Sequence, residues 1–268
     1  MFLWTRGGVE DRWHAPTTPG AYEWWGFEAL DTGNELAFSL RISAGDPMDP
    51  EYARVLARDR AAARPDRNVL VRAVLYRKGR RVLARSFRVG AEEFAASTSS
   101  GAVRAGAASV RIEESARGRA YVVELDPGTR LTFSGPPGRP PGTGTPEASV
   151  WDLAPLDLDV SGEVETGTGS PGERLQFQGR GVHDHGYGPS SPGSQARSWA
   201  WGWAHAREYA VAWRQVLHVS GEVESLLVVD REGEPFIGET ARSRPFRTRF
   251  SLMGVPYRRQ WRLDGPSG

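Results

Sequence analysis

Between Glu35 and Ser43 apolar and polar side chains alternate without a break: Leu36, Phe38, Leu40 and Ile42 fall on one face, Ala37, Ser39 and Arg41 on the other. That is the period of a half-buried β-strand, since successive side chains of extended backbone point to opposite faces. Short runs of similar character recur to the end of the chain, separated by 32 glycines and 19 prolines that act as turn punctuation. Candidate strands cover Asn68–Arg77, Arg81–Val89, Ala108–Glu113, Ala120–Leu125, Arg130–Ser134, Asp157–Glu163, Leu175–Gly179, Trp199–Ala204, Tyr209–Val219, Glu222–Asp230, Phe246–Leu252 and Arg259–Leu263. One stretch departs from this. Asp49 followed by Pro50 and an alanine-rich run to Ala63 supplies an N-cap, a proline at the first helical position and good helix formers, which predicts a single helix.

The linker signal is Ser134–Glu147, rich in Gly, Pro and Thr, which can neither sit inside a sheet nor hold a helix. It predicts two domains, 1–140 and 141–268, about six strand candidates in each. A faint repeat supports duplication of one β unit: Trp25-Gly26-Phe27 precedes one alternating strand, and Trp201-Gly202-Trp203 precedes another. A second Gly/Ser/Pro-rich loop is expected at Gly186–Ala196.

Composition narrows the function. Hydrophobic residues at 39%, charged residues at 25% and a net charge of +1 describe a globular chain with no basic excess for nucleic acid. No cysteine is present, so thiolate nucleophiles and cysteine-held metals are excluded. The only lysine, Lys78, lies in no phosphate-binding loop, and neither a dinucleotide fingerprint nor a Gly-x-Ser-x-Gly elbow occurs. No apolar run approaches the length of a membrane span, and the N-terminus lacks a secretory pattern, so a soluble cytoplasmic protein is expected.

The residues able to do chemistry concentrate in Gly179–Gly188 and Ser198–Trp203. On a strand, His183 and His185 share one face and Asp184 takes the other. A His-x-His pair suits zinc, but no third ligand stands at a set spacing, so neither metal nor cofactor is expected. A hydrogen-bonded network tying strands together at a barrel rim is the competing reading. Ten tryptophans are many for 268 residues. Most belong in a core, and where two aromatic strands meet the histidine pair they can wall a pocket for an apolar guest.

At four islands the chain resembles the carotenoid 1,2-hydratase (hydroxyneurosporene synthase, AttH-like) family. They are Glu23-Trp24-Trp25-Gly26-Phe27-Glu28-Ala29, Trp151–Leu156, Gly179–Gly188 and Trp199–Gly202. The resemblance implies an all-β fold of two lipocalin-like antiparallel barrels packed side by side, with an apolar pocket near their junction. It also implies either hydration of an isolated alkene or, as in cyclase relatives, templating of an intramolecular Diels–Alder reaction. The family's catalytic His-x-Trp falls on His185-Gly186-Tyr187, and its Tyr-x-Asp on Ala212-Trp213-Arg214. The proton-donating acid is therefore replaced by arginine, a poor acid but a good clamp for a carbonyl or enolate. The expected polar groups are His185, Tyr187, Arg214 and His183. The expected substrate-binding residues are Trp25, Glu28, Trp199, Trp201, Trp203 and Ala212. The expected partner is a hydrophobic polyene, polyketide or terpenoid precursor to be cyclised. The alternatives are hydration, with Glu28 or Asp184 as the acid, and a carrier that converts nothing.

Overall fold

A computed structural model describes residues 2–4, 11–46, 48–115, 118–136, 149–153, 156–166, 172–190, 196–231, 234–238, 242–250 and 256–264. The described residues form β1 (Phe2–Trp4), β2 (Tyr22–Asp31), β3 (Leu36–Ala44), α1 (Pro50–Arg58), β4 (Val69–Arg77), β5 (Arg80–Val89), β6 (Phe94–Ala96), β7 (Val103–Ala105), β8 (Ala108–Ser115), β9 (Gly118–Leu125) and β10 (Thr129–Gly135). They continue with β11 (Ser149–Leu153), β12 (Leu158–Glu165), β13 (Arg174–Gly188), β14 (Ala196–Ala206), β15 (Tyr209–His218), β16 (Val223–Arg231), β17 (Glu234–Gly238), β18 (Arg242–Phe250) and β19 (Pro256–Asp264). The protein is all-β and lipocalin-like. No helix among the described residues is long and apolar enough to cross a membrane.

The chain divides into two compact units, Met1–Pro192 and Gly193–Gly268. This differs from the expected division at 140/141, and strand pairing gives the reason. In the first unit the sheet runs β5-β4-β3-β2-β13-β12-β10-β9-β8-β7-β6, so the strands after residue 149 complete the sheet begun by those before it. Strand β12 pairs with β10, and β13 pairs with β2, both antiparallel. Most of the expected linker, residues 137–148, lies outside the described residues. The expected loop at Gly186–Ala196 begins later than read, because Gly186 and Gly188 still belong to β13; residues 191–195 lie outside the described residues.

The sheet curls around one apolar core. Leu83 and Val89 of β5 share a buried cluster with Val103 and Ala105 of β7, so the two ends of the strand order approach each other in a nearly closed barrel. Trp25, Phe27, Leu40, Ile42, Leu131, Phe133, Val160 and Phe177 fill the interior. Burying each such side chain fully contributes about 1.5–3 kcal/mol or more.

Helix α1 starts where expected. The Asp49 carboxylate accepts from the backbone N–H groups of Glu51 and Tyr52, and Pro50 needs no partner at that position. It ends at Arg58 rather than running to Ala63, because Asp59 is extended and caps a separate 3₁₀ turn, Arg60–Ala62. Buried Tyr52 ties this segment to the barrel: its hydroxyl accepts from the Gly20 N–H and meets the carbonyls of Ala21 and Ala63. Burial pushes its phenol up to about 12.

The second unit contains a four-stranded sheet, β14-β15-β16-β17, and the β18–β19 hairpin. The Trp-Gly-aromatic repeat takes the same place in both units. Trp25-Gly26-Phe27 lies on β2, which pairs with β3, and Trp201-Gly202-Trp203 lies on β14, which pairs with β15.

Candidate functional site

The register of β13 against β2 places Phe27 opposite His183, Trp25 opposite His185 and Glu23 opposite Tyr187. Because paired residues share a face, all six point to the barrel interior. Glu28, Gly26 and Trp24, opposite Val182, Asp184 and Gly186, point outward. The two histidines and Asp184 thus take opposite faces, as the alternation predicts.

On the outer face Asp184 is a tie. Its Oδ2 accepts from Trp24 Nε1 at 2.6 Å and Trp151 Nε1 at 3.1 Å, with Arg41 Nη2 3.6 Å away. Two glycines make room for this arrangement. A Cβ on Gly26 would stand 2.0 Å from Asp184 Oδ1, and one on Gly186 would stand 2.1 Å from the Trp24 ring.

On the inner face His183 is fully buried and stacks on Phe27 at 4.2 Å between ring centres. Both its ring nitrogens are engaged, Nδ1 with the Gly26 carbonyl and Nε2 with Asp11 Oδ1, each at 2.8 Å. Asp11 Oδ2 accepts from Tyr121 OH at 3.1 Å and Arg119 Nη1 at 3.0 Å. Burial raises the Tyr121 phenol well above its ordinary value, and the neighbouring Asp11 carboxylate pushes the same way. His183 therefore holds the Asp11 segment against the barrel.

His185 is different. It stacks on Trp25 at 5.3 Å, and its Nε2 lies 3.0 Å from Glu23 Oε1. Its Nδ1 is buried and has no hydrogen-bond partner among the described residues. The same Glu23 oxygen lies 3.0 Å from Nδ1 of His14, and the Glu23 carboxylate also accepts the His14 backbone N–H, with Oε2 at 3.1 Å. The His14 ring stacks on Tyr187 with centres 3.7 Å apart. His14, Glu23 and His185 are the described residues grouped closely enough to hold a metal ion.

In the second unit the register sets Trp199, Trp201 and Trp203 opposite Val216, Arg214 and Ala212. The three tryptophans, Ala212 and Arg214 therefore share one face of the sheet. The tryptophans are half-buried, and Arg214, 2% exposed in its side chain, pairs with Glu224. Glu224 also lies 3.3 Å from His218 Nε2.

AttH (NE1406) from Nitrosomonas europaea matches at a TM-score of 0.64 and 16% identity, over 91% of this chain and 77% of its own. CghA with Sch210972 matches at 0.56 and 15%, over 92% and 70%; CghA alone matches at 0.56 and 16%, over 94% and 71%. The fold is that of AttH and CghA. At this identity the likeness concerns the fold alone. No protein-family model matches the sequence, and no curated protein matches it.

Within this fold most of the expected residues form two groups, one in each unit. His183, His185, Tyr187 and Trp25 share the inner face of the barrel. Trp199, Trp201, Trp203, Ala212 and Arg214 share a face of the second sheet. Glu28 joins neither: it is half-buried on the outer face, with Ser39 Oγ 3.5 Å away. Sequence reasoning did not place Glu23, His14 or Asp11 in the site. Glu23 stood inside the aromatic motif, but its partnership with His185 follows only from the register. For His14 and Asp11 no local pattern exists to find.

Proposed function

We propose that this protein is an enzyme that binds a hydrophobic polyene, polyketide or terpenoid precursor and cyclises it. The observation that carries this reading is His185: a buried imidazole fixed through Nε2 by Glu23 and by stacking on Trp25, with Nδ1 left open. A ring that donates through Nε2 to a carboxylate presents Nδ1 as an acceptor of fixed direction. Such a nitrogen accepts a hydrogen bond from a substrate hydroxyl or enol and so fixes its orientation, and the carboxylate behind the ring strengthens it as an acceptor. Trp25 and Tyr187 give the same corner an aromatic wall on which a flexible chain is held near its reactive conformer, a contribution of several kcal/mol when alignment is good.

The fold shared with CghA, whose crystal structure has been determined with Sch210972, is in keeping with a bound substrate. The two acids expected to serve alkene hydration are less well suited to it. Asp184 Oδ2 is taken by two indole N–H groups and faces Arg41, and Glu28 lies on the outer face.

The test is turnover of linear polyene substrates that carry a carbonyl group, followed by mass spectrometry in heavy water. A cyclised isomer of unchanged mass with no deuterium on carbon is expected, falling about 100-fold or more in His185→Ala. Deuterium on a product carbon, with addition of water, would replace cyclisation by hydration. Binding without conversion would make the protein a carrier.

A further inference from the structure

We propose that His14, Glu23 and His185 form a binding site for one divalent first-row metal ion, zinc fitting best. Two imidazole nitrogens and a carboxylate oxygen converge from three separate elements: the segment before β2, β2 itself and β13. His14 Nδ1 and His185 Nε2 each lie 3.0 Å from Glu23 Oε1, and one ligand atom from each residue falls within 4.8 Å of the others. A tetrahedral zinc with bonds of about 2.0 Å has ligand-to-ligand edges of roughly 3.3 Å, close to the two edges that meet at Glu23, and the His14–His185 edge closes onto the ion by side-chain adjustment. Two histidines and a glutamate are also a donor set that zinc uses when it keeps a fourth position open.

The charge arrangement gives an independent reason. Asp11, Asp46, Asp49 and Asp184 are buried carboxylates that each face an arginine, Arg119, Arg72, Arg88 and Arg41 respectively, while buried Asp31 has no such partner but is held by the Asn34 side chain and backbone N–H groups of Asn34 and Gln178. Glu23, 0% exposed, faces two imidazoles and a backbone N–H, with no arginine or lysine among its described partners. A carboxylate removed from water without a fixed counter-charge is costly, and a divalent cation supplies that charge.

The surroundings suit an ion that exchanges. The backbone N–H of His14 holds the second Glu23 oxygen and so orients the carboxylate. The His14 side chain is 17% exposed, which gives an ion a route in and leaves the fourth position facing solvent or an oxygen-bearing ligand. A metal on Nε2 places the ring proton of His185 on Nδ1, so the ion and the use of Nδ1 as an acceptor exclude each other; ion binding is read on the resting protein without substrate, and its failure leaves the cyclisation reading standing.

The experiment uses the untagged full chain, stripped with chelator and titrated with zinc by calorimetry, then with cobalt(II) by visible absorption. One ion per chain is expected, with sub-micromolar affinity for zinc and a cobalt spectrum of four- or five-coordinate type. His14→Ala, placed on a partly exposed segment, and Glu23→Gln should each weaken zinc by more than the roughly 10–100-fold that loss of a supporting outer partner costs. His205→Ala and His218→Ala should bind like the parent. Far-UV circular dichroism establishes that each variant is folded; if Glu23→Gln is not, His14→Ala and the cobalt spectrum decide. Failure of the folded parent to bind zinc, or unchanged binding in folded His14→Ala, overturns the site.

Discussion

Strands β2 and β13 of the barrel and the Trp201–Arg214 face of β14 and β15 use the same kinds of residue, yet they satisfy polar groups in opposite ways. In the barrel the bonds join distant parts of the chain: Asp11 to His183 across 172 residues, Glu23 to His185 across 162 and Trp24 to Asp184 across 160. In the second unit they are local to a hairpin, Arg214 to Glu224 across 10 residues and His218 to Glu224 across 6. The first set is sealed from water, whereas Glu224 is 29% exposed. A group that water can reach loses little when its partner goes, while a sealed one bears the full desolvation cost. The barrel network should therefore respond sharply to single substitutions, and the hairpin network should give.

The largest expected effect is that of His183→Ala. It removes a stacked ring and both its hydrogen bonds, and leaves Asp11 Oδ1 and the Gly26 carbonyl without their partner. A loss of about 3–5 kcal/mol is expected in urea unfolding of the first unit. Arg214→Ala should cost the second unit only about 1–2 kcal/mol, since Glu224 can turn to water. Equal losses would break the contrast.

Next come two glycines that stand against tryptophans. A Cβ on Gly186 meets the Trp24 ring at 2.1 Å, and that ring is pinned by its bond to Asp184. A Cβ on Gly202 meets Trp213 at 2.8 Å, and Trp213 is half-buried. Gly186→Ala should lower stability by about 2–3 kcal/mol, the range of overpacking a rigid site, and Gly202→Ala by about 1 kcal/mol or less. Thermal unfolding followed by tryptophan fluorescence measures both. A Gly186→Ala variant as stable as the parent would mean that the Trp24–Asp184 tie yields more readily than its geometry implies.

These contrasts also mark what the sequence could and could not disclose. Alternation located most of the long strands to within a few residues, because one buried face forces a period of two. It missed the three-residue strands Phe94–Ala96 and Val103–Ala105, which are too short to show a period. Proline and a cap located α1. The same alternation put His183 and His185 on one face, and the order of Trp and Arg placed Trp201 opposite Arg214 once β14 and β15 are paired as neighbours. What it could not supply was the pairing of β13 with β2, two strands far apart in the chain, and with it the meeting of Glu23 and His185. Nor could it join His14 and Asp11 to the barrel, since no periodicity links a coil residue to a strand some 170 positions later. The Pro/Gly run read as a boundary at 140/141 differs from the compact units for a related reason: strands on either side of such a run can share one sheet, and that pairing is not written in the run itself.

The smallest expected effect concerns acid and belongs to the first unit alone, through the cap of α1. Burial by itself would raise the Asp49 carboxyl. The Arg88 guanidinium and the backbone N–H groups of Glu51 and Tyr52 outweigh that and hold it below its ordinary 3.8. The native state then binds fewer protons here than the unfolded chain does. The stability contributed is therefore fully present above pH 3.8 and is lost as pH falls through the lower native value. Protonation weakens an N-cap worth about 1 kcal/mol, so the melting temperature of the first unit should fall modestly across this window, beyond whatever other carboxylates contribute. Asp49→Asn keeps a good cap without the titration, and its melting temperature should fall less than the parent's between about pH 5 and pH 3. An identical fall in parent and variant would show that Asp49 does not report on acid loss. A fall confined to the second unit's transition would reverse the contrast between the sealed barrel and the open hairpin face.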